Sequence, residues 1–180
     1  FQAIGNRLAD GLTTFRAMQE LSESEARFRT LVERAPDAIV VVDVESGVYV
    51  DANENAARLY ETTVDELVMN YGPVYLSPEY QPDARRSADA AAEQLALALD
   101  GDFPKFEWTH ITVNGEPIPC EVVLARLPHP TKKLIRGNIT DIRARLAAER
   151  DRKDLEARLA QAHAAAVKGS DLTHRLLAFA

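Results

Sequence analysis

Histidine, cysteine and clustered carboxylates are the side chains here that could do chemistry, so their neighbours decide the first question. A phosphoacceptor histidine needs a carboxylate beside it to take its proton, and His163 is followed by Ala164, which fits a solvated helical position better. His110 lies two residues from Trp108 on a predicted strand, where an ordinary hydrogen-bonded role suits it better than axial ligation of a haem iron. Cys120 is the sole cysteine and falls on the apolar face of another predicted strand, the place of a small core residue rather than a nucleophile. Asp43, Asp51, Glu54 and Asp65 sit at predicted turns and helix starts, so capping explains them without a bound cation. No nucleophile, base and oxyanion donors gather into one set, and the chain reads as a module that binds or transmits rather than catalyses.

The elements that hold these residues follow from periodicity. Ala38 to Val44 is short and rich in Ile and Val, and Glu45, Ser46 and Gly47 close it with a turn into a second strand at Val48 to Val50. Asp51, Asn53 and Asn55 then offer side-chain oxygens to a helix over Glu54 to Tyr60, which buries Ala56, Leu59 and Tyr60. Thr63, with Asp65 and Glu66 behind it, caps another short helix. A longer helix over Ser87 to Leu99 ends at Asp100 and Gly101. Phe106, Trp108 and His110 alternate with Glu107 and Thr109 on the next strand. Asn114-Gly115 is a hairpin turn, and the return strand Ile118 to Leu127 puts Ile118, Cys120, Val122 and Leu124 on one face. Leu134 to Ile139 is the last strand.

This order of elements, from about Phe28 to Ile142, resembles a PAS sensor domain. DAIVVVDVESGVYVDANENAARLYETTVDEL is similar to the family's opening, FEWTHITVNGEPIPCEVVLARL to its hairpin, and NITDI to its closing strand. The resemblance implies an α+β fold, a five-stranded antiparallel sheet with helices on one face. It also implies a pocket between sheet and helices, for which the candidates are Ile39, Val41, Leu59, Tyr75, Leu95, Leu99, Trp108, Cys120, Val122 and Ile135. A packed core fits the same apolar residues equally well. The irregular stretch Tyr71 to Pro82 is either a gate or only a long connection. Asp141, Ile142 and Arg143 stand where the family often carries an Asp-Ile-Thr signalling triplet, with Arg in place of Thr. Flavin photoreceptors of this fold use a Cys in a helix motif; NENAARLYE has none, and Ser87 to Leu99 lacks a haem-ligating His, so both cofactors are disfavoured and any cofactor is unknown.

The flanks are helical. Residues 1–27 read as a signalling helix, with Leu12 and Phe15 among its apolar positions, and are similar to the last helix of a GAF domain running into a linker. Residues 143–168 are charged, alanine-rich and without Pro; Leu155, Leu159, Ala162 and Ala166 are spaced four, three and four apart, a coiled-coil seam. Ile142 and Leu146 lie off that seam, which implies a stutter just after the domain. Gly169 is expected to break the helix, leaving residues 169–180, DLTHRLLAFA included, as the turn and second arm of a helical hairpin. That phrase resembles the second helix of a histidine kinase dimerisation domain.

The expected function is therefore a dimeric sensor and transmission segment of a two-component sensor histidine kinase. The chain itself is not expected to catalyse, and ATP is expected only in a catalytic domain of the parent. Partners implied are a second copy through parallel helices, the receiver domain of a response regulator, and a small-molecule ligand. A ligand-free structural relay, or an input domain of a diguanylate cyclase or transcription regulator, are the competing readings. Among 180 residues the net charge of −7 argues against nucleic acid, and no apolar run spans a bilayer, so a cytoplasmic place without membrane contact is expected. The chain begins without Met and reads as an excerpt of a longer protein.

Overall fold

The computed structural model describes residues 2–177; the side chains of residues 2–14, 17, 21, 28, 69 and 167–177 lie outside that description, and with them Leu12 of the proposed seam. The chain divides into two units, Phe1–Asp141 and Ile142–Ala180.

The first unit opens with helix α1 (Gln2–Glu33), which runs through Gly5 and Gly11. Strands β1 (Ala38–Asp43) and β2 (Val48–Ala52) form a hairpin whose turn places Gly47 at a φ of 71°. Helices α2 (Glu54–Tyr60), α3 (Val64–Asn70) and α4 (Ser87–Asp100) cross to the far edge of the sheet, where β3 (Lys105–Ile111), β4 (Pro117–Leu127) and β5 (Leu134–Asp141) follow. All neighbouring strands are antiparallel and the order is β2-β1-β5-β4-β3. β5, the last strand made, thus closes the sheet at its centre. Helix α2 packs on β1, α3 on β2, and α4 on β4 and β5, so the core lies between them and one face of the sheet.

Local chemistry sets the helix ends. Asn53 caps α2 with its side chain accepting from Ala56 N. Asp51 and Asn55 do not share that role: Asp51 accepts only from Ala52 N, while Asn55 donates to the Ala35 carbonyl and accepts from Arg58. Thr63 caps α3 through Glu66 N at 3.2 Å, and Gly101 ends α4 at a φ of 102°. Ala56 and Tyr60 are buried on α2 with Ala57, whereas Leu59 is half-buried. Near the β1–β2 turn the backbones touch: a Cβ on Gly72 would lie 1.9 Å from the Gly47 carbonyl oxygen, so only glycine fits there.

The second unit is helix α5 (Arg143–Leu177). It continues through Gly169, so the expected break and hairpin do not form. A glycine costs about 1 kcal/mol against alanine inside a helix, too little to end one that has good formers on both sides and no proline. The side chains of that last stretch lie outside the described residues.

Candidate functional site

The inner face of the sheet is set by register. Val40 pairs with Gly137 and Val42 with Ile135; Val122 faces both Phe106 and Ile139, and Leu124 faces Gly137. Cross-strand partners share a face, so Val40, Val42, Phe106, Trp108, His110, Val122, Leu124, Gly137 and Ile139 all point toward the helices. Between them and α4 lies a cavity of about 50 Å³, also lined by Tyr49, Pro73, Ala91, Gln94 and Leu95.

Of the expected lining, Leu95, Trp108 and Val122 face this space. Ile39 and Val41 do not: they occupy the alternate positions of β1 and lie on the other face, opposite Asn138 and Arg136. Tyr75 does not either, being 71% exposed in the α3–α4 connection. Leu59 and Leu99 pack beside the core, and Cys120 and Ile135 are fully buried within it, all without lining the cavity. Cys120 Sγ contacts the Ile118 carbonyl oxygen at 3.5 Å, consistent with a packed thiol.

Polar groups concentrate on β3. His110 is 4% exposed; its Nδ1 lies 3.1 Å from the Leu76 carbonyl oxygen and 3.2 Å from the Tyr60 hydroxyl. A carbonyl only accepts, so Nδ1 carries the proton and donates. Nε2 is then a bare acceptor, buried and without a hydrogen-bond partner. Burial pushes the His110 imidazole down to about 4, outweighing the bond to Leu76, so the ring is neutral near pH 7. Burial likewise pushes the Tyr49 and Tyr60 hydroxyls up, and both stay protonated. Around the rings, Trp108 Nε1 donates to Ser77 Oγ at 2.9 Å. Gln81 brackets Thr109, accepting from its N–H at 2.8 Å and donating to its carbonyl at 3.2 Å. Tyr71 to Pro82 is therefore fastened to β3 by these side chains and by one main-chain bond, Ile111 N–H to the Leu76 carbonyl at 3.0 Å, rather than by a regular ladder. Sequence reasoning placed His110 on the face of Phe106 and Trp108 without seeing that one of its nitrogens would be left unpaired.

At the other end of β5, Asp141 closes the strand, Ile142 is buried and Arg143 opens α5. Thr140 Oγ1 donates to Asp37 at 2.9 Å, tying this end of the strand to the start of the domain. Among the described residues no cluster of His, Cys, Asp and Glu could hold a metal ion. No described helix is long and apolar enough to cross a membrane.

A PAS-domain family model matches residues 36–144. The chain belongs to the PAS family. Solved structures agree with this PAS fold. A domain of a sensory box sensor histidine kinase/response regulator from Geobacter sulfurreducens is 29% identical with a TM-score of 0.55, the match covering 67% of this chain and 96% of that one. The PAS domain of an HTR-like protein from Haloarcula marismortui is 21% identical with a TM-score of 0.55, covering 71% of this chain and 98% of its own. The Rhodobacter sphaeroides LOV protein is 17% identical with a TM-score of 0.53, covering 68% of each chain. A search of curated protein sequences finds no match.

Proposed function

We propose that this PAS domain and its helices form the sensor and signal-transmission segment of a two-component sensor histidine kinase, working as a cytoplasmic homodimer. The observation that carries this reading is the 29% identity to a domain of a Geobacter sulfurreducens sensor kinase, nearly all of which the match covers. The helix α5 supports it: Leu155 and Leu159 are 68% and 69% exposed, four residues apart on one stripe with Ala162. Leu residues in that pattern gain by covering each other across a two-fold axis, and a parallel pair of α5 helices does so. On the N-terminal helix, Phe15 is 65% exposed and could extend the seam of the dimer upstream.

In this scheme the junction Asp141, Ile142 and Arg143 couples the central strand to the coiled coil. A change in the sheet rotates or shifts the start of α5, and the two helix registers present the parent's phosphoacceptor differently to its ATP-bound catalytic domain. The phosphoryl group then passes to the receiver domain of a response regulator. A ligand-free relay of an upstream signal is the second reading, favoured by a cavity far smaller than the roughly 300–1,000 Å³ of drug-sized pockets.

The test is Asp141→Ala in the full-length protein, assayed for autophosphorylation, with thermal unfolding of this chain alongside. Altered kinase output with an unchanged unfolding midpoint is the expected result. Unchanged output overturns the coupling role.

A further inference from the structure

We propose that the outer edge of β3 is a strand-pairing surface for β3 of a second copy, covered in this fold by residues 76–87 and held closed by Gln81. It is a surface separate from the α5 seam of the proposed dimer, and no kinase is needed to test it.

β3 is an edge strand, with β4 on one side only. The Pro104 carbonyl accepts from Leu124 N at 3.1 Å, which sets the phase of the β3–β4 ladder. Phe106, Trp108 and His110 accordingly turn their main-chain groups toward β4, and Thr109 and Ile111 turn theirs to the open edge. An edge of this kind pairs with another chain unless something covers it. Gln81 covers it as a neighbouring strand would. Its Oε1 accepts from Thr109 N at 2.8 Å and its Nε2 donates to the Thr109 carbonyl at 3.2 Å, the two bonds that facing residues of an antiparallel ladder exchange. Beside it, the Leu76 carbonyl accepts from Ile111 N at 3.0 Å.

The cover is held mainly by polar contacts. A small hairpin in which Tyr80 bridges to Arg86 presents Gln81, and Ser87 Oγ accepts from Gln81 Nε2 at 2.8 Å. Leu76 is buried, but Tyr75 and Tyr80 are 71% and 52% exposed and add little grip. Without the Gln81 amide, the N–H and C=O of Thr109 lose both partners. A second β3 restores both at once. An antiparallel pair centred on Thr109 is isologous, each Thr109 giving the other one N–H and one C=O. That register sets Thr109 against Thr109, a favourable cross-strand pair, and places no like charges opposite one another along Lys105–Ile111.

Thr109→Cys tests the pairing. The side chain at 109 lies on the sheet face turned away from Trp108 and His110, so the substitution leaves the main-chain bonds to Gln81 in place. In the two-fold pair the two Cα atoms stand about 5.5 Å apart, within reach of a disulfide. Gln81→Met removes both bonds to Thr109 while keeping the length of the side chain. Under mild oxidation, the variant carrying Thr109→Cys and Gln81→Met should link two copies roughly tenfold or more faster than Thr109→Cys alone. Glu54→Cys, exposed on α2, should link at one rate with or without Gln81→Met. In chains without an added cysteine, hydrogen exchange at the Thr109 amide should be roughly tenfold or more slower than in Gln81→Met. Equal linking of Thr109→Cys with and without Gln81→Met overturns the pairing surface. Equal acceleration at positions 109 and 54 assigns the linking to general loosening and overturns it as well. Equal exchange rates at Thr109 overturn the cover by Gln81.

Discussion

Asn53 is the side chain on which the entry to this domain most depends. It is 2% exposed, and all of its hydrogen-bonding capacity is used. Its Oδ1 accepts from Ile39 N at 3.0 Å and Ala56 N at 2.9 Å. Its Nδ2 donates to the Val32 carbonyl at 2.9 Å and the Asp37 carbonyl at 3.1 Å. One residue thus joins the end of α1, strand β1 and the first turn of α2. In Asn53→Ala the lost cap costs about 1 kcal/mol, and each buried group left unpaired adds about 1 kcal/mol or more. Water reaches some of the freed groups, so the sum is about 3–5 kcal/mol, a large part of the ~5–15 kcal/mol of an ordinary domain. The midpoint of thermal unfolding should fall by more than about 10 °C. Asn53→Asp is the sharper test because it keeps the shape and both accepted bonds. It replaces two donated bonds by repulsion between a carboxylate and two carbonyl oxygens. Those carbonyls raise the pKa of the introduced carboxyl, so its deficit should be largest at neutral pH and shrink as the group protonates. Urea unfolding of this chain, with hydrogen exchange at the Ile39 and Ala56 amides, measures both variants. A loss below about 1 kcal/mol for Asn53→Ala, or an Asn53→Asp variant as stable as the parent at neutral pH, would refute the argument.

Gly72→Ala should destabilise the chain by about 1–3 kcal/mol, because its Cβ meets a backbone oxygen that cannot swing aside; urea unfolding checks this, and a neutral result would mean the β1–β2 turn yields. The chain should also lose stability in mild acid. His110 titrates near 4 when folded and near 6.5 when unfolded, so its contribution is full above pH 6.5 and is lost as pH falls toward 4. The unfolded chain binds the extra proton in that window, and the total reaches about 3 kcal/mol. Tyr49 and Tyr60 stay protonated throughout. Asp43 and Glu66 are held below the usual carboxylate range by Glu45 N–H and the Thr62 hydroxyl, so their loss belongs to more acid solution. Unfolding measured across this window should show the slope, and His110→Phe should abolish it; a slope that survives the substitution assigns it elsewhere.

Strict alternation made half of the sheet legible. In β3 Glu107 and Thr109 alternate with Phe106 and Trp108, and in β4 Ile118, Cys120, Val122 and Leu124 are buried at every second position, so the faces read from sequence are those of the structure. In β1 the run from Ala38 to Val42 is apolar at every position, so the pattern does not mark which residues point inward, and Ile39 and Val41, expected in the pocket, lie on the other face. The stretch holding Tyr75 has no period, because it is fixed by Ser77, Gln81 and the Leu76 carbonyl rather than by a ladder. The cavity was less legible than the fold for a further reason. Its lining includes Gly137, a residue with no side chain, which joins Val40 and Leu124 only when strands from distant parts of the sequence meet.

The central claim is a parallel α5 pair that transmits the state of the PAS domain, and disulfide trapping tests it most directly. Cys120 is fully buried and does not compete. A cysteine at the seam, Leu159→Cys, should link two copies rapidly under mild oxidation, while Ala157→Cys, on the side of the helix turned away from the seam, should link at least tenfold more slowly. Equal rates at the two positions, or no linked dimer from Leu159→Cys, would contradict the account.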